Sequence, residues 1–411
     1  MPDVIRFPVL LALGALALPP RAYAADAGCH APMTDAIALS PTPGHPFEPI
    51  TSRDGCWLFV SVNSSDPRTP NGVAVMKRGA NGWSPVRVVP IEDGPSGMVL
   101  THDGKLLIAA DDANVVFLDV ARMISGRGDP ILGFVSDGDD VGSVYVNVTA
   151  DDRTLFVSDE YAQQITVFDL ERARRTGFTR DAIVGRIPTG RAPIALTFSP
   201  DERLLYTTSQ MAPKALGWAP ECRPEGGDTT GPSNAPGAVM VVDVARARSD
   251  PAHAVVAQAP AGCHPVRLVL SPDGAVAYVT ARASNAVLAF DTAKLVSDPM
   301  HARIASVPVG TAPVGIAVVD GGRKLVVTNS NRFAGGTDDR QNLTVVDATR
   351  LADGVAAVLG VVPAGAFPRE LRVVDDGRTL LLTNYMSNTV ETIDLGRLQP
   401  RPAAAETAGG R

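Results

Sequence analysis

Side chains that could bind or transform a ligand gather in polar loops between short apolar segments of this 411-residue chain. Arg191, Arg282 and Arg369 lie in three such loops, and a guanidinium offers forked donors suited to a carboxylate or a phosphate. Glu160 or His264 could take a proton from an attacking water. Further polar groups that could bind a polyhydroxylated ligand are Tyr161, Asn329, Asn384 and Tyr385.

Each of these residues also has a purely structural interpretation. Charged loop residues are mostly solvated, and Asn at a hairpin tip often serves only the turn geometry. His264 could be a turn residue beside a disulfide at Cys263. A ligand site therefore requires elements that bring loops distant in sequence to one place.

One repeated unit supplies such elements. It consists of an apolar strand, an Asp/Gly turn, a second strand, a polar loop and a third strand that ends in Asp, as in "THDGKLLIAADDANVVFLDVARM" and "SPDGAVAYVTARASNAVLAFDTAKL". Seven copies are present, and their turn aspartates are Asp54, Asp103, Asp152, Asp201, Asp273, Asp320 and Asp376. A further strand and a Gly/Pro turn, as in "IASVPVGTAPV", separate successive copies. Third strands end at Asp119, Asp169, Asp243, Asp291, Asp347 and Asp394, which we interpret as repeat architecture.

Four short strands in each unit, repeated every 40 to 50 residues or so, are typical of a β-propeller blade. The sequence therefore predicts an all-β, seven-bladed propeller with four-stranded antiparallel blades over residues 25–398. The last copy lacks its outer strand, whereas "AIALSPTPGHPF" near the N-terminus has that form. We expect residues 36–40 to complete the seventh blade beside Val390 and Ile393, because an open ring would leave unpaired sheet edges.

The segments "AYVTARASNAVLAFD", "VVTNSN" and "LLTNYMSNTVETID" resemble the YVTN repeat of bacterial exported and surface-layer propellers. The resemblance covers nearly the whole predicted propeller, although "LIAADD" and "LFVSDE" lack the Thr-Asn pair. The chain is also similar in architecture to seven-bladed propellers of the lactonase type. The resemblance implies a fold more than a function, because propellers carry many unrelated activities.

The N-terminal segment predicts export. Arg6 precedes the apolar run "FPVLLALGALAL" and small residues at Ala22 and Ala24, an order typical of a signal peptide over residues 1–24. We expect a periplasmic or secreted, monomeric protein with no membrane span and a disordered tail at 399–411. A net charge of −7 disfavours nucleic acid as a partner.

Four cysteines allow three disulfide pairings, and the repeat register selects one. We call the face with the Asp/Gly turns the bottom face and the face with the polar hairpin loops the top face. Cys29 and Cys56 both fall at the bottom of adjoining blades, and Cys222 and Cys263 both fall at the top. The predicted pairs are Cys29–Cys56 and Cys222–Cys263; the alternative is four reduced, buried thiols.

Recognisable cofactor and metal motifs are lacking. The "SDGDDVGS" segment has oxygen ligands but lacks the Glu that ends a calcium loop, and the histidines have no zinc spacing, so we expect neither metal nor cofactor. The leading hypothesis is a scaffold whose top-face loops bind a small polar or anionic ligand or a protein partner. Trp218, in the long insertion of the fourth unit, would be an apolar anchor or would pack the insertion down. The alternative is a lactonase-like hydrolase in which Glu160 or His264 activates water.

Overall fold

Seven antiparallel sheets form a closed ring in a computed structural model that describes residues 29, 33–138, 141–218, 222, 235–332, 341–374 and 376–402. The predicted signal peptide (1–24) and residues 403–411 of the predicted tail lie outside the described residues. The predicted seven-bladed β-propeller is confirmed. The first strand of each blade lies nearest the axis, and its neighbours are the first strands of the adjacent blades.

The strands of the first three blades run outward from the axis in chain order. Strand β1 (Ile37–Pro41) belongs to the last blade. Blade 1 contains β2 (His45–Thr51), β3 (Trp57–Asn63), β4 (Gly72–Gly79) and β5 (Gly82–Pro90). Blade 2 contains β6 (Met98–Leu100), β7 (Leu106–Asp111), β8 (Asn114–Asp119) and β9 (Ile131–Ser136). Blade 3 contains β10 (Ser143–Val148), β11 (Thr154–Asp159), β12 (Gln164–Asp169) and β13 (Ile183–Pro188).

The remaining blades follow the same plan, except that the inner edge of blade 4 is split into two short strands. Blade 4 contains β14 (Arg191–Pro193), β15 (Thr197–Phe198), β16 (Leu204–Met211), β17 (Ala238–Asp243) and β18 (Val255–Pro260). Blade 5 contains β19 (Pro265–Leu270), β20 (Val276–Ala281), β21 (Ala286–Asp291) and β22 (Arg303–Pro308). Blade 6 contains β23 (Pro313–Val319), β24 (Lys324–Asn329), β25 (Asn342–Asp347) and β26 (Val358–Pro363). Blade 7 contains β27 (Pro368–Val373), β28 (Thr379–Asn384), β29 (Thr389–Asp394) and β1.

The aspartate that ends each third strand caps the turn or helix that follows. The carboxylates of Asp119, Asp169, Asp243 and Asp291 accept hydrogen bonds from the backbone N–H three residues later. They are the N-cap residues of α1 (Val120–Ser125), α2 (Leu170–Thr176), α3 (Val244–Ala247) and α4 (Thr292–Ser297). Short 3-10 segments are Arg180–Ala182, Lys214–Leu216, Pro251–His253, Arg282–Ser284, Pro299–His301, Asp320–Gly322, Leu351–Ala357 and Leu395–Arg397. No helix in the described ranges is both long enough and apolar enough to cross a bilayer.

The predicted ring closure is also confirmed. β1 pairs antiparallel with β29, with Ile37 opposite Ile393 and Ser40 opposite Val390. The backbone N–H of Trp83 in blade 1 donates to Ser40 Oγ at 2.8 Å. An outer strand of the seventh blade is thus tied to its own sheet and to blade 1. At the other end of the described chain, Arg401 pairs with Val361 of β26.

Both disulfides occur in the expected pairing. Cys29 and Cys56 are bonded with a Cα–Cα distance of 5.1 Å, and Cys222 and Cys263 with a distance of 5.5 Å. The first joins the segment before β1 to the bottom turn of blade 1, and the second joins the blade 4 insertion to the turn that precedes β19. Each bridge restricts the unfolded chain and so contributes roughly 2–4 kcal/mol to stability.

Hydroxyl groups on the second strands connect neighbouring blades. Thr383 Oγ1, on β28, accepts a hydrogen bond from the backbone N–H of Glu370 at 3.1 Å and donates to the carbonyl of Phe47 in blade 1 at 2.9 Å. The same type of donation to the next blade is made by Ser61, Ser158, Thr208, Thr280 and Thr328. In blades 6 and 7 these hydroxyls are the Thr of "VVTN" and "LLTN". The repeated Thr therefore fixes the inner strands on which the axial side chains stand.

Candidate functional site

Side chains on the inner strands of three blades meet across the axis of the ring. The hydroxyl of Tyr145 (blade 3) donates to Glu370 Oε1 (blade 7) at 2.6 Å, and Arg267 Nε (blade 5) donates to Glu370 Oε2 at 3.0 Å. The Arg267 guanidinium also lies 3.8 Å from the centre of the Tyr145 ring. Gly97 in blade 2 makes room for Tyr145, since a Cβ there would lie 2.7 Å from Tyr145 Cδ1. This cluster therefore connects blades 3, 5 and 7 across the axis of the ring.

A second ion pair lies beside this cluster. Arg372 Nη2 on blade 7 donates to Glu48 Oε1 on blade 1 at 2.6 Å. Burial raises the pKa of Glu48, Arg372 opposes that shift, and Glu370 adds to it. Both carboxylates are therefore matched by arginines, Glu48 by Arg372 and Glu370 by Arg267. Removing either arginine would leave a buried carboxylate unpaired, which is costly, so we assign these four side chains to the framework of the axis.

Arg369 lies at the top face of the axis, which we call the top opening. It follows Pro368 in β27, and its guanidinium carbon lies 3.7 Å from the centre of the Phe47 ring. The rings of Tyr385 and Phe367 lie 5.4 and 5.6 Å away. Burial lowers the pKa of Arg369 to about 10, which still leaves the side chain protonated near neutral pH. Its buried Nε has no hydrogen-bond partner among the described residues.

Aromatic rings hold this guanidinium in place. The His45 ring stacks on Tyr385 with centroids 4.9 Å apart, and His45 Nδ1 lies 2.9 Å from the Tyr385 carbonyl oxygen. Phe367 packs against Tyr385 at 5.4 Å. We call His45, Phe47, Phe367, Arg369 and Tyr385 the aromatic cradle. Aromatic faces attract a cation but accept no conventional hydrogen bond from its edge, which leaves the guanidinium donors available.

Glu160 lies at the same opening on blade 3. It is close enough to Arg369 to raise the pKa of that guanidinium. Gln210 on blade 4 links Glu160 to blade 5: Gln210 Nε2 is 3.5 Å from Glu160 Oε1, and Arg282 Nη2 donates to Gln210 Oε1 at 3.0 Å. Arg282 is only 8% exposed. Its guanidinium therefore takes part in the wall of the opening, whereas that of Arg369 lies against the aromatic rings.

Left-handed turns begin four of the inner strands at this face. Ala192, His264, Ala312 and Phe367 all have φ of 50° to 53° and directly precede the first Pro of their strand. This conformation costs a residue with a side chain roughly 1–2 kcal/mol. The two alanines present little to the opening, whereas His264 and Phe367 carry rings. Backbone strain of this kind is often retained at functional sites.

The structure does not place all of the predicted site residues at the opening. Asn329 and Asn384 are fully buried: Asn329 Nδ2 donates to Asn342 Oδ1 at 2.7 Å, and Asn384 Nδ2 donates to Glu391 Oε1 at 2.8 Å. Their amides join adjacent strands of one blade. Tyr161 is 66% exposed, and Arg191 is half-buried at the start of β14.

Sequence analysis identified Arg369 and Tyr385 of the aromatic cradle but missed both of its phenylalanines. Phe47, Phe367 and Gln210 were not among the predicted site residues. Phe367 directly precedes Pro368 of β27, and Phe47 directly follows Pro46 of β2. This Gly-x-x-Pro turn recurs in "GRAP", "GCHP", "GTAP" and "GAFP" and could have located the rim. Trp218 packs against the buried Ala212 and Met240, which favours the packing interpretation. Residues 219–221 and 223–234 of that insertion lie outside the described residues.

Comparison with known proteins supports the fold alone. No family model matches the chain, and no curated protein matches its sequence. Among solved structures, hydrazine synthase of Kuenenia stuttgartiensis is similar with a TM-score of 0.64 and 19% identity, over 86% of this chain and 96% of that chain. A putative 6-phosphogluconolactonase from Bacteroides fragilis is similar with a TM-score of 0.60 and 13% identity, over 84% and 92% of the two chains. At such low identity the likeness defines a seven-bladed β-propeller and assigns no activity.

Proposed function

We propose that this protein is an exported, monomeric binding propeller of the YVTN type that captures an anionic group at the aromatic cradle. The group is a carboxylate or a phosphate, carried by a small molecule or by a protein partner. The observation that supports this function most directly is Arg369, a desolvated cation stacked on Phe47 whose Nε lacks a partner among the described residues.

Hydrogen-bond accounting supports a ligand for Arg369. Buried polar groups are nearly always paired, and a guanidinium carries five N–H donors. The surrounding rings supply attraction without using those donors. A carboxylate or phosphate would accept two of them side by side and would also neutralise a charge that burial destabilises. Arg282 and Glu160 would line the route to this group rather than hold it, since both already contact Gln210.

Two features support export. Residues 1–24 have the pattern of a signal peptide, and two disulfides occur in a chain with no free cysteine among the described residues. Disulfides persist in oxidising compartments such as the periplasm. We therefore place the mature protein in the periplasm or outside the cell. The Thr hydroxyls that connect the blades support the YVTN assignment of the repeat.

Anion binding is tested by calorimetric titration of the mature protein with inorganic phosphate and with citrate. Arg369→Met should weaken binding about 10- to 100-fold, because a hydrogen bond to a charged group contributes about 1.5–3 kcal/mol. Arg369→Lys should recover part of the affinity, since it keeps the charge but not the fork. Arg303→Gln, on the exposed outer strand of blade 5, is the matched control. Parent protein that binds neither anion, or an Arg369→Met variant that binds as the parent does, would refute this function.

A hydrolase is the second candidate, and the proximity of Glu160 to Arg369 favours it. In that reaction Arg369 would hold an acidic substrate group while Glu160, or His264 in the turn before β19, accepts the proton of an attacking water. A phosphorylated sugar lactone is the first substrate to assay. Glu160→Gln should then abolish turnover while phosphate still binds. Absence of turnover in the parent, together with Arg369-dependent anion binding, would leave the binding function standing alone.

A further inference from the structure

A groove lies on the top face between blades 1 and 2, and none of the described residues that line it belongs to the aromatic cradle. Its volume is about 680 Å³, and the top loop of blade 1 and the strands of blade 2 form its walls. One wall is hydrocarbon, provided by Pro67, Pro90 and the ring of Phe134, which is 49% exposed. A single exposed ring needs no partner by itself, but here the ring lies beside two prolines that line the same groove.

The polar groups of this groove are carboxylates. Asp66, Glu92, Asp93 and Asp111 line it together with neutral residues, and among the described residues that line it there is no Lys, Arg or His. Asp66 is paired with Arg68, whose side chain is 88% exposed. Glu92 and Asp93 have no ion pair of this kind with a described residue. The groove is therefore a concentration of negative charge with an apolar side.

Asp111 is the deepest of these carboxylates and is only 2% exposed. Its Oδ1 has no hydrogen-bond partner among the described residues. Burial, together with the charges of the neighbouring Asp93, Asp112 and Glu92, raises the pKa of Asp111 to about 7, while a hydrogen bond from the backbone N–H of Gly94 opposes the shift. A cation at the end of this acidic groove would give the buried acceptor a donor and would offset the repulsion among the carboxylates.

From this arrangement we infer that the groove between blades 1 and 2 binds a primary ammonium group carried on a hydrocarbon chain. The ammonium donates to Asp111 Oδ1 and is attracted by Glu92 and Asp93. The hydrocarbon chain lies against Phe134 and the two prolines. A free polyamine and the lysine side chain of a protein partner share this chemistry. A metal ion is disfavoured, because the described residues include no group of three or more His, Cys, Asp or Glu arranged to hold one.

The test is calorimetric titration of the mature protein with two probes in separate experiments. One probe is spermidine, and the other is a lysine whose α-amine is acetylated and whose carboxyl is amidated, so that only the side-chain amine is free. Affinity for both should rise up to tenfold between pH 6 and pH 7, since the ammonium competes with the proton on Asp111. Titrations in buffers of different ionisation enthalpy should show release of a fraction of one proton on binding. Asp111→Asn should lower the affinity at least tenfold and abolish the proton release.

Two variants separate the groove from general charge effects. Glu171→Gln makes the same change in net charge on α2, far from the groove, and should leave binding within twofold of the parent. Phe134→Ala should weaken spermidine more than methylamine, because only the longer chain reaches the ring. Tighter binding of the blocked lysine would identify a protein as the source, and tighter binding of spermidine a small molecule. No binding of either probe, unchanged binding in Asp111→Asn, or Asp111-dependent binding of calcium alone would overturn the inference.

Discussion

Replacing Asp137 by Asn should flatten the dependence of stability on pH. Asp137 and Asp159 are both fully buried at the junction of blades 2 and 3. Ser143 Oγ lies 2.9 Å from Asp137 Oδ2 and 3.3 Å from Asp159 Oδ1. A serine hydroxyl has one hydrogen and donates to one acceptor at a time. The second contact is a hydrogen bond only when one of the carboxyl groups is protonated and donates to Oγ.

The magnitude follows from the pKa shift of this pair. Burial, reinforced by the charge of Asp159, raises the pKa of Asp137 to about 8, whereas a carboxyl in the unfolded chain ionises near 3.8. The folded state therefore holds a proton that the unfolded state has lost between about pH 4 and pH 8. In that window each such proton lowers the free energy of unfolding by about 1.4 kcal/mol per pH unit as pH rises. The contribution of the pair is thus fully present below pH 4 and lost as pH approaches 8.

Urea denaturation of parent and variant at pH 5, 6 and 7 measures this effect. Over those two units the Asp137→Asn protein should gain about 3 kcal/mol relative to the parent, because an amide donates to Asp159 without a titratable proton. Asp181→Asn, an exposed substitution in blade 3, is the control and should show the same pH dependence of stability as the parent. Parallel curves for parent and Asp137→Asn over the whole range would show that the two carboxyl groups share no proton.

Two further substitutions test the framework. Thr383→Val removes a buried hydroxyl that joins blade 7 to blade 1. It should lower the free energy of unfolding by about 1–3 kcal/mol, because the Glu370 N–H and the Phe47 carbonyl lose their partner. Equal stability of parent and variant in urea denaturation would contradict that role. Gly97→Ala places a Cβ 2.7 Å from both Tyr145 Cδ1 and the Val144 carbonyl oxygen, and should cost a similar 1–3 kcal/mol. A melting temperature of the Gly97→Ala protein equal to that of the parent would mean that Tyr145 can move to make room for the added methyl group without loss of stability.

The ring could be predicted because its determinants are local and repeated. Seven Asp/Gly turns predict the number of blades. The last repeat lacks its outer strand and an N-terminal segment has that form, which together predict how the ring closes. The same register places Cys29 near Cys56 and Cys222 near Cys263, since it assigns each cysteine to a face. The seven copies can be aligned with one another, so the position of a residue in its blade can be assigned from the equivalent residues of the other copies.

The candidate site was harder to predict because side-chain direction depends on a single position along a strand. Asn329 and Asn384 end their strands at the top face, yet their amides turn toward Thr344 and Glu391 on the adjacent strand. Arg369 stands two residues beyond a left-handed turn and so reaches the opening. The acidic groove draws on residues from 64 to 134, which no single motif connects. Asp137 and Asp159 likewise meet only because neighbouring blades pack together.

The aromatic cradle stands on the seam where the ring closes. His45 and Phe47 come from blade 1, whereas Phe367, Arg369 and Tyr385 come from blade 7. The same seam is held by β1 pairing with β29, by the Thr383 hydroxyl on the carbonyl of Phe47, and by the Cys29–Cys56 bridge. The separation of Phe47 from Arg369 is therefore set by closure rather than by the interior of any one blade. An anion bound in the cradle as proposed would contact both sides of the seam, so its binding energy would oppose opening of the ring. Anion binding and ring closure should then strengthen each other to the same extent.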